Sequence, residues 1–276
     1  MSASFAELAA PGKLNLFLHV LGRRADGYHE LQTVFRLIER ADRIRIARRD
    51  DGELRFTGVF GADNLCLRAA RLLKQQTSSR LGADIELEKR LPVGGGLGGG
   101  SSDAATVLLA LNRLWKLRLS RDELQQLGAR LGADVPLFIF GRNALGEGIG
   151  ERLTALELEP AWYLVLTPQV AVSTKEIFAH ALTGESKRIT IPPFFSGRGR
   201  NDLEAVVAAR YPEVAAQLAW LRVRCPQARM TGSGACVFAE FDTEAEARAI
   251  QSQMPHGMDG FVAHGLDRHP LYDWAE

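Results

Sequence analysis

The sequence predicts a mixed α and β chain that folds as one large domain or two ordinary ones. Three observations predict it. The 276 residues are 46% hydrophobic, enough to bury a sizeable core. The early part of the chain alternates apolar runs with polar, turn-rich stretches, as strands and their connections do. From about residue 100, helical spacing and helix-capping signals become frequent, with strand-like runs still interleaved.

Taken in order, Leu14 to Val20 is strongly apolar and reads as a strand, and Gly22 to Glu30 is polar and turn-rich. Leu31 to Ile38 is apolar again, and Arg43 to Ala47 alternates. Asn64 to Gln75 has helical spacing, with Leu65, Ala69, Leu72 and Leu73 on one side. Ile85 and Leu87 alternate with Glu86 and Glu88 as in a half-buried strand. Asp103 to Trp115 places Ala104, Val107, Leu108, Leu111, Leu114 and Trp115 at helical spacing. Ser120 and Glu123 form a capping box for a second helix, which is expected to end at Gly132. Asp134 follows, then Pro136 and the apolar run Leu137 to Phe140.

Leu156 to Pro160 is a plausible boundary. Beyond it Trp162 to Leu166 reads as a strand, and Ser173 with Glu176 caps a short helix carrying Phe178. Gly184 to Arg200, with Pro192-Pro193, is expected as an exposed loop. Helices are expected near Leu203 to Arg210 and Glu213 to Arg222. Val237 to Phe241 is a strand, and Thr243 with Glu246 caps the helix after it. The sequence shows no repeat and no low-complexity segment.

Composition excludes several function classes. The formal charge is +1, from 34 basic and 33 acidic side chains, which gives no electrostatic footprint for nucleic acid or an anionic membrane. Any anionic ligand must be held locally. Cys66, Cys225 and Cys236 are few, odd in number and far apart, so buried small hydrophobes are expected rather than a disulfide framework or zinc site. Met1 to Gly12 lacks the basic flank and apolar stretch of a signal peptide. No run approaches the roughly 18 apolar residues of a membrane span. A soluble, cytoplasmic protein is the expectation.

The most unusual stretch is Pro92 to Ser102, PVGGGLGGGSS, with six glycines in seven positions. Glycine loses the most backbone freedom on folding, and a purely structural turn rarely needs more than two. The loop feeds a helix whose N-terminus carries Ser101 and Ser102. Bare amides and the positive helix end converge there, a ready site for phosphate. Gly94, Gly96 and Gly99 satisfy G-x-G-x-x-G, but the preceding strand alternates, Pro92 interrupts, and no acidic residue ends a strand about 20 residues later, as a dinucleotide fold requires. Gly95 to Ser102 is near a P-loop, but Ser101 stands where its lysine should be. The phosphates must find their cation elsewhere.

PVGGGLGGGSSDAAT resembles the central motif of the GHMP kinases, the superfamily of galactose, homoserine, mevalonate and phosphomevalonate kinases. Pro11-Gly12-Lys13-Leu14-Asn15-Leu16 resembles their N-terminal motif, and Thr231-Gly232-Ser233-Gly234-Ala235-Cys236 their C-terminal glycine loop. The motifs stand in the right order across nearly the whole chain. Arg23 to Thr33 (RRADGYHELQT), Asp63-Asn64-Leu65, Leu131 to Pro136 and the Thr231 loop are most similar to the branch whose acceptor is a cytidine diphosphate derivative of methylerythritol, in the non-mevalonate route to isoprenoid precursors. Gly12 stands where alanine is common, and Asp103 where asparagine also occurs. Gly184 to Asn201 matches poorly.

The resemblance implies a two-domain α+β fold, residues 1–157 and 158–276, with the active site in the interdomain cleft and an uncommon left-handed crossover in the N-terminal domain. It implies ATP-dependent phosphorylation of a hydroxyl. Lys13 and Asp134 are the implied catalytic pair: Asp134 accepts the hydroxyl proton, and Lys13 holds Asp134 ionised and stabilises charge near the transferred group. Read without the resemblance, Lys13 is a solvated strand end after a Pro-Gly turn, and Asp134 a turn former. The loop residues Pro92, Val93, Gly94, Gly95, Gly96, Leu97, Gly98, Gly99, Gly100, Ser101 and Ser102 are implied ATP ligands, with Asn64, Leu65 and Lys89 near the adenine. The plain alternatives are an N-cap for Asn64 and a strand-surface charge for Lys89. A side chain at Gly98 is expected to exclude phosphate while sparing the fold.

Tyr28 and Phe178 are implied to sandwich the cytosine, His29 to hydrogen-bond its edge, and Asn15 to contact the methylerythritol. Packing roles, and a satisfied loop histidine, are the alternatives. Gly232, Ser233 and Gly234 form the third glycine loop, for which a hairpin turn is the competing reading. Magnesium is expected with ATP, but no carboxylate cluster names its ligands. The expected partner is a small molecule, a cytidine diphosphate derivative, with neither nucleic acid nor membrane, and a homodimer is the assembly to test. Two other readings remain open: a GHMP kinase for another acceptor, against which Tyr28-His29 argues, and a nucleotide-binding regulatory module, against which Lys13 and Asp134 argue.

Overall fold

The computed structural model of the chain describes residues 5–61, 64–180 and 199–275. Residues 184–198 of the expected exposed loop, and Asp63, lie outside the described residues.

Two long strands organise the molecule, β1 (Ala6–Arg23) and β2 (His29–Arg49), paired antiparallel along nearly their whole length. Leu31 to Ile38 and Arg43 to Ala47 are therefore one strand, not two. Pro11 and Gly12 do not form a turn before Lys13. They lie inside β1, where the register shifts, a place a strand tolerates a proline because no ladder donor is needed.

β3 (Leu54–Thr57) and β4 (Gly82–Glu88) are parallel neighbours joined by α1 (Leu65–Thr77), and β4 pairs with the far end of β2. α1 starts where the sequence indicates, because Asn64 accepts from the Leu67 amide and caps it. α2 (Gly99–Leu114) begins four residues earlier than the apolar spacing shows, since its first turn is made of the glycine loop itself. Residues Ser102 to Asn112 are all buried, so α2 is a central helix covered on every side. It packs on α1, on β1 and β2, on α3 (Arg121–Ala129) and on α4 (Val135–Phe140). Truncating Leu108, which is fully buried, should cost about 2–5 kcal/mol.

α3 has the expected Ser120–Glu123 capping box but ends at Ala129 rather than Gly132. The apolar run after Asp134 is α4, a buried turn and a half closed by Gly141 in the left-handed region, φ 71°. A run this short carries no periodicity to separate helix from strand.

β5 (Ala144–Gly148) and β6 (Arg152–Ala155) form a hairpin on β2. β7 (Trp162–Leu166), α5 (Thr174–Ala179), α6 (Glu204–Arg210), α7 (Pro212–Arg224), β8 (Arg229–Met230), β9 (Val237–Phe241), α8 (Glu244–Gln251) and β10 (Gly260–Leu266) complete the chain. Ser173 and Thr243 cap α5 and α8 as the sequence indicates. β10 pairs with both β7 and β2, so all ten strands among the described residues join one mixed sheet, in an α+β fold.

One apolar cluster gathers α1 to α4 with β2 and β4, and another gathers α5 to α7 with β7 and β9. A third, with Leu14, Phe17, Ile38, Leu97, Tyr163 and Phe238, lies between them. Leu271 and Ala275 return to the first cluster. There Arg121 donates to the carbonyls of Ile139, at 2.6 Å, and Tyr272, at 2.5 Å. No helix among the described residues is long and apolar enough to cross a membrane. All three cysteines are buried and free.

Candidate active site

The glycine loop is pinned from two sides. The Lys13 amide donates to the Leu97 carbonyl at 2.9 Å, which holds the loop on β1. The amides of Ala235 and Cys236 donate to the carbonyls of Gly94, at 3.3 Å, and Gly95, at 3.1 Å. The central and C-terminal glycine loops therefore touch through backbone, and a Cβ on Gly96 would stand 2.3 Å from the Thr231 carbonyl oxygen. Gly98 is the N-cap of α2 at φ 71°. A Cβ there would meet the Phe138 ring at 3.0 Å and Lys13 Cε at 3.2 Å. A side chain at Gly98 is therefore strained by the left-handed φ and crowds Phe138 and Lys13, so it carries a cost to the fold that the sequence does not show.

Lys13 is 3% exposed, on an inner face of β1. Its Nζ donates to Asn15 Oδ1 at 2.7 Å and to the Gly96 carbonyl at 2.8 Å, and lies 3.7 Å from Asp134 Oδ2. Lys13 is therefore no solvated strand end. Asp134 is the N-cap residue of α4, but its side chain makes no capping bond and is 35% exposed, so its carboxylate faces the cavity. Asn15 is fully engaged: Nδ2 donates to Thr33 Oγ1 at 2.8 Å, and its amide donates to Thr231 Oγ1 at 2.9 Å. β1, β2, α4 and both glycine loops thus fix one ammonium beside one carboxylate.

These groups wall a cavity of about 1050 Å³. Lining it are Lys13, Asn15, Asp134, Lys89, Leu65, Pro92 through Ser101, and Gly232, Ser233 and Gly234. Tyr28, His29 and Phe178 line it as well. His29 opens β2, and its ring lies 5.3 Å from that of Phe178, whereas Tyr28 is 60% exposed. Burial, with Arg23 nearby, holds the His29 imidazole below its usual pKa. Ser102 is not among the lining residues, being fully buried in the first turn of α2. Asn64 lines instead a neighbouring recess of about 400 Å³, with Phe60, Leu65, Cys66, Leu87, Gly100 and Asp103.

Lys89 is not a surface charge. It is 10% exposed and donates to Asp42 Oδ2, and to Asp103 Oδ2 at 2.9 Å. Asp42 Oδ1 accepts from the amides of Arg90, at 2.6 Å, and Leu91, at 2.8 Å. Burial works to lower the Lys89 pKa, but the two carboxylates outweigh it and keep the ammonium charged. One buried cation faces two buried acids. Burial first, and then the charge of Asp42, drive the Asp103 carboxyl well above the usual carboxylate range against the pull of Lys89. Sequence reasoning missed Asp42 and Asp103 as members of this cluster. Asp42 sits in mid-strand with no motif around it, and Asp103 reads as part of a helix start.

Residues 64–142 match the family described as GHMP kinases N terminal domain, and residues 194–260 the one described as GHMP kinases C terminal. The chain is 58% identical to the 4-diphosphocytidyl-2-C-methyl-D-erythritol kinase of Nitrosospira multiformis, over 99% of this chain and 96% of the relative. It is 57% identical to that of Thiobacillus denitrificans, over 96% and 97%. A crystal structure of 4-(cytidine 5'-diphospho)-2C-methyl-D-erythritol kinase superposes with a TM-score of 0.83 at 34% identity, covering 94% of this chain and 99% of that one. A homoserine kinase from Cytophaga hutchinsonii shares the fold at a TM-score of 0.71 and 16% identity, covering 98% and 97%.

Proposed function

The chain belongs to the GHMP kinases and, within them, to the 4-diphosphocytidyl-2-C-methyl-D-erythritol kinases, and from that premise we propose how its residues divide the reaction. The chain is an ATP-using phosphotransferase. It moves a phosphoryl group from ATP to a hydroxyl of 4-diphosphocytidyl-2-C-methyl-D-erythritol, a step of the non-mevalonate route to isoprenoid precursors. The observation that carries this is 58% identity over 99% of the chain to a relative of that name.

In our reading the triphosphate lies on the amides of Gly94 to Ser101 and the first turn of α2, where unpaired donors and the helix dipole favour anions. The adenine enters the recess beside Asn64 and Leu65, next to Lys89, and Gly232 to Gly234 close the phosphate site. Lys13 supplies the cation that the loop itself lacks. The acceptor hydroxyl points at Asp134. Its oxygen bonds to the γ-phosphorus, the bond from that phosphorus to the ADP oxygen breaks, and the hydroxyl proton passes to Asp134. What supports this is the position of Lys13 Nζ, within 3.7 Å of Asp134 and hydrogen-bonded to the glycine loop. Tyr28, His29 and Phe178 take the cytosine, and Asn15 borders the methylerythritol.

Among the described residues no three potential metal ligands cluster, and Asp134 is the carboxylate that faces the main cavity. That donor set fits magnesium carried on the phosphates, beside one carboxylate, better than a protein cage. When bound it neutralises phosphate charge. A division near residues 157 and 158 is supported by the separate apolar clusters of α1–α4 and α5–α7. A homodimer and a cytoplasmic location complete the reading, with light scattering and cell fractionation as their tests.

A coupled ADP assay against a panel of acceptors tests the function. ADP should form rapidly only with the cytidine diphosphate acceptor. Equal rates with homoserine or mevalonate, or ADP release without any acceptor, would contradict it.

A further inference from the structure

The cavity holds more positive charge than the chemistry above uses. Four full cations line it, Lys13, Arg23, Lys89 and Lys175, against the single carboxylate of Asp134. Lys13 faces Asp134, and Lys89 is held by Asp42 and Asp103. Arg23 and Lys175 have no ion pair among the described residues, although the neighbouring Arg24 pairs with Asp26 and Glu30.

Their positions are specific. Arg23 ends β1 and stands opposite His29 in the β1–β2 ladder. Lys175 lies three residues before Phe178 on α5, on the same helix face. The His29 and Phe178 rings are 5.3 Å apart. Each member of this ring pair thus has a cation beside it, one from β1 and one from α5, and both cations reach the cavity. Like charges gathered on one cavity repel, and an anion between them relieves the repulsion. Arg23 brings a fork suited to two phosphate oxygens, and Lys175 a mobile point charge.

We infer that Arg23 and Lys175 clamp the diphosphate of the acceptor, from opposite sides of the rings that take its base. The clamp makes the site selective for a nucleoside diphosphate ester over a bare nucleoside. It also keeps that diphosphate apart from the ATP phosphates, which lie on the glycine loop. This rests on the reading that the cytosine sits at His29 and Phe178.

The test compares cytidine with cytidine 5'-diphosphate by calorimetry, in the parent protein and in Arg23→Gln, Lys175→Gln and the double variant. The parent should bind the diphosphate more tightly than the nucleoside. Each single variant should weaken diphosphate binding about tenfold and leave cytidine within about twofold, as expected when one charged hydrogen-bond partner is lost from a solvated site. Arg23→Lys should retain most of the affinity, because charge is kept. A diphosphate-to-nucleoside affinity ratio equal in parent and double variant overturns the clamp and leaves the base placement standing. A parent that binds neither compound overturns the base placement, and the clamp with it.

Discussion

Lys13 Nζ stands 3.7 Å from Asp134 Oδ2 but spends its hydrogen bonds on Asn15 Oδ1 and the Gly96 carbonyl. The two charges face each other without a direct hydrogen bond. The ammonium is thus fixed by neutral partners, and the carboxylate is left open to the cavity.

Asp134→Asn should therefore lower turnover by about 10²-fold or more, the usual weight of a positioned acid or base, with ATP and acceptor affinities near those of the parent. Lys13→Met should fall comparably in rate. It should also lose about 1–3 kcal/mol of stability, because a buried Asn15 oxygen and the Gly96 carbonyl lose their donor. Single-turnover kinetics on material shown to be folded by circular dichroism separates the two effects. Unchanged single-turnover rates would remove both residues from the chemical step.

The glycine loop can be probed without breaking it at Gly100. This residue lies within α2, and a Cβ there would meet only Leu65 Cδ1, at an ordinary 3.4 Å. Gly100→Ala should raise the unfolding free energy by about 0.5–1 kcal/mol through helix propensity. It should also weaken ATP about tenfold or more if phosphate approaches the bare backbone. Denaturant unfolding together with ATP calorimetry checks both signs. A gain in stability with unaltered ATP affinity would place the phosphates elsewhere.

Motifs carried much of this in the sequence, and geometry the rest. Asn64, Ser120, Ser173 and Thr243 announce their helices by local hydrogen bonds that need no tertiary context. Pro92 to Ser101, Lys13 and Asp134 converge on one cavity as the resemblance implies. β5, β6 and β10 carry no clear signal in the sequence, because they are stabilised by pairing, β5 with β2, β6 with β5 and β10 with β2 and β7, rather than by local pattern. Lys89, one residue past the end of β4, reads as a surface charge because a lysine is rarely buried, although its spacing of two from Leu87 puts it on the buried face. Only the fold brings Asp42 from β2 and Asp103 from α2 to meet it.

That cluster predicts a stability effect. Lys89→Met leaves two acids buried without their cation, and should cost about 3–5 kcal/mol. Adding Asp103→Asn should recover part of the loss, since the remaining charge is Asp42 alone, which still accepts from two backbone amides. Urea unfolding of the single and double variants reads this directly. Additive losses would show that Lys89 and Asp103 do not act on each other.

His269 gives a pH dependence. Its ring is 2% exposed, Nδ1 accepts from the Leu271 amide at 3.0 Å, and burial, with Arg121 adding to it, pushes the imidazole from 6.5 down to about 3. Between those values the unfolded chain binds a proton that the native state refuses. Stability contributed by neutral His269 is therefore present above pH 6.5 and lost as pH falls towards 3, by at most about 1.4 kcal/mol per pH unit. His269→Asn can keep the acceptor for Leu271 and should flatten this slope. Thermal melts from pH 7 to pH 4 compare the two, and parallel curves would clear His269 of the effect.

The most direct measurement follows the phosphoryl group itself. ATP labelled at the γ-phosphate is incubated with 4-diphosphocytidyl-2-C-methyl-D-erythritol and the parent protein, and the products are separated. The label should appear on a hydroxyl of the methylerythritol, one equivalent per ADP formed, and transfer should fall about 10²-fold or more with Asp134→Asn. Label released as inorganic phosphate, or transferred equally well by Asp134→Asn, would contradict the account.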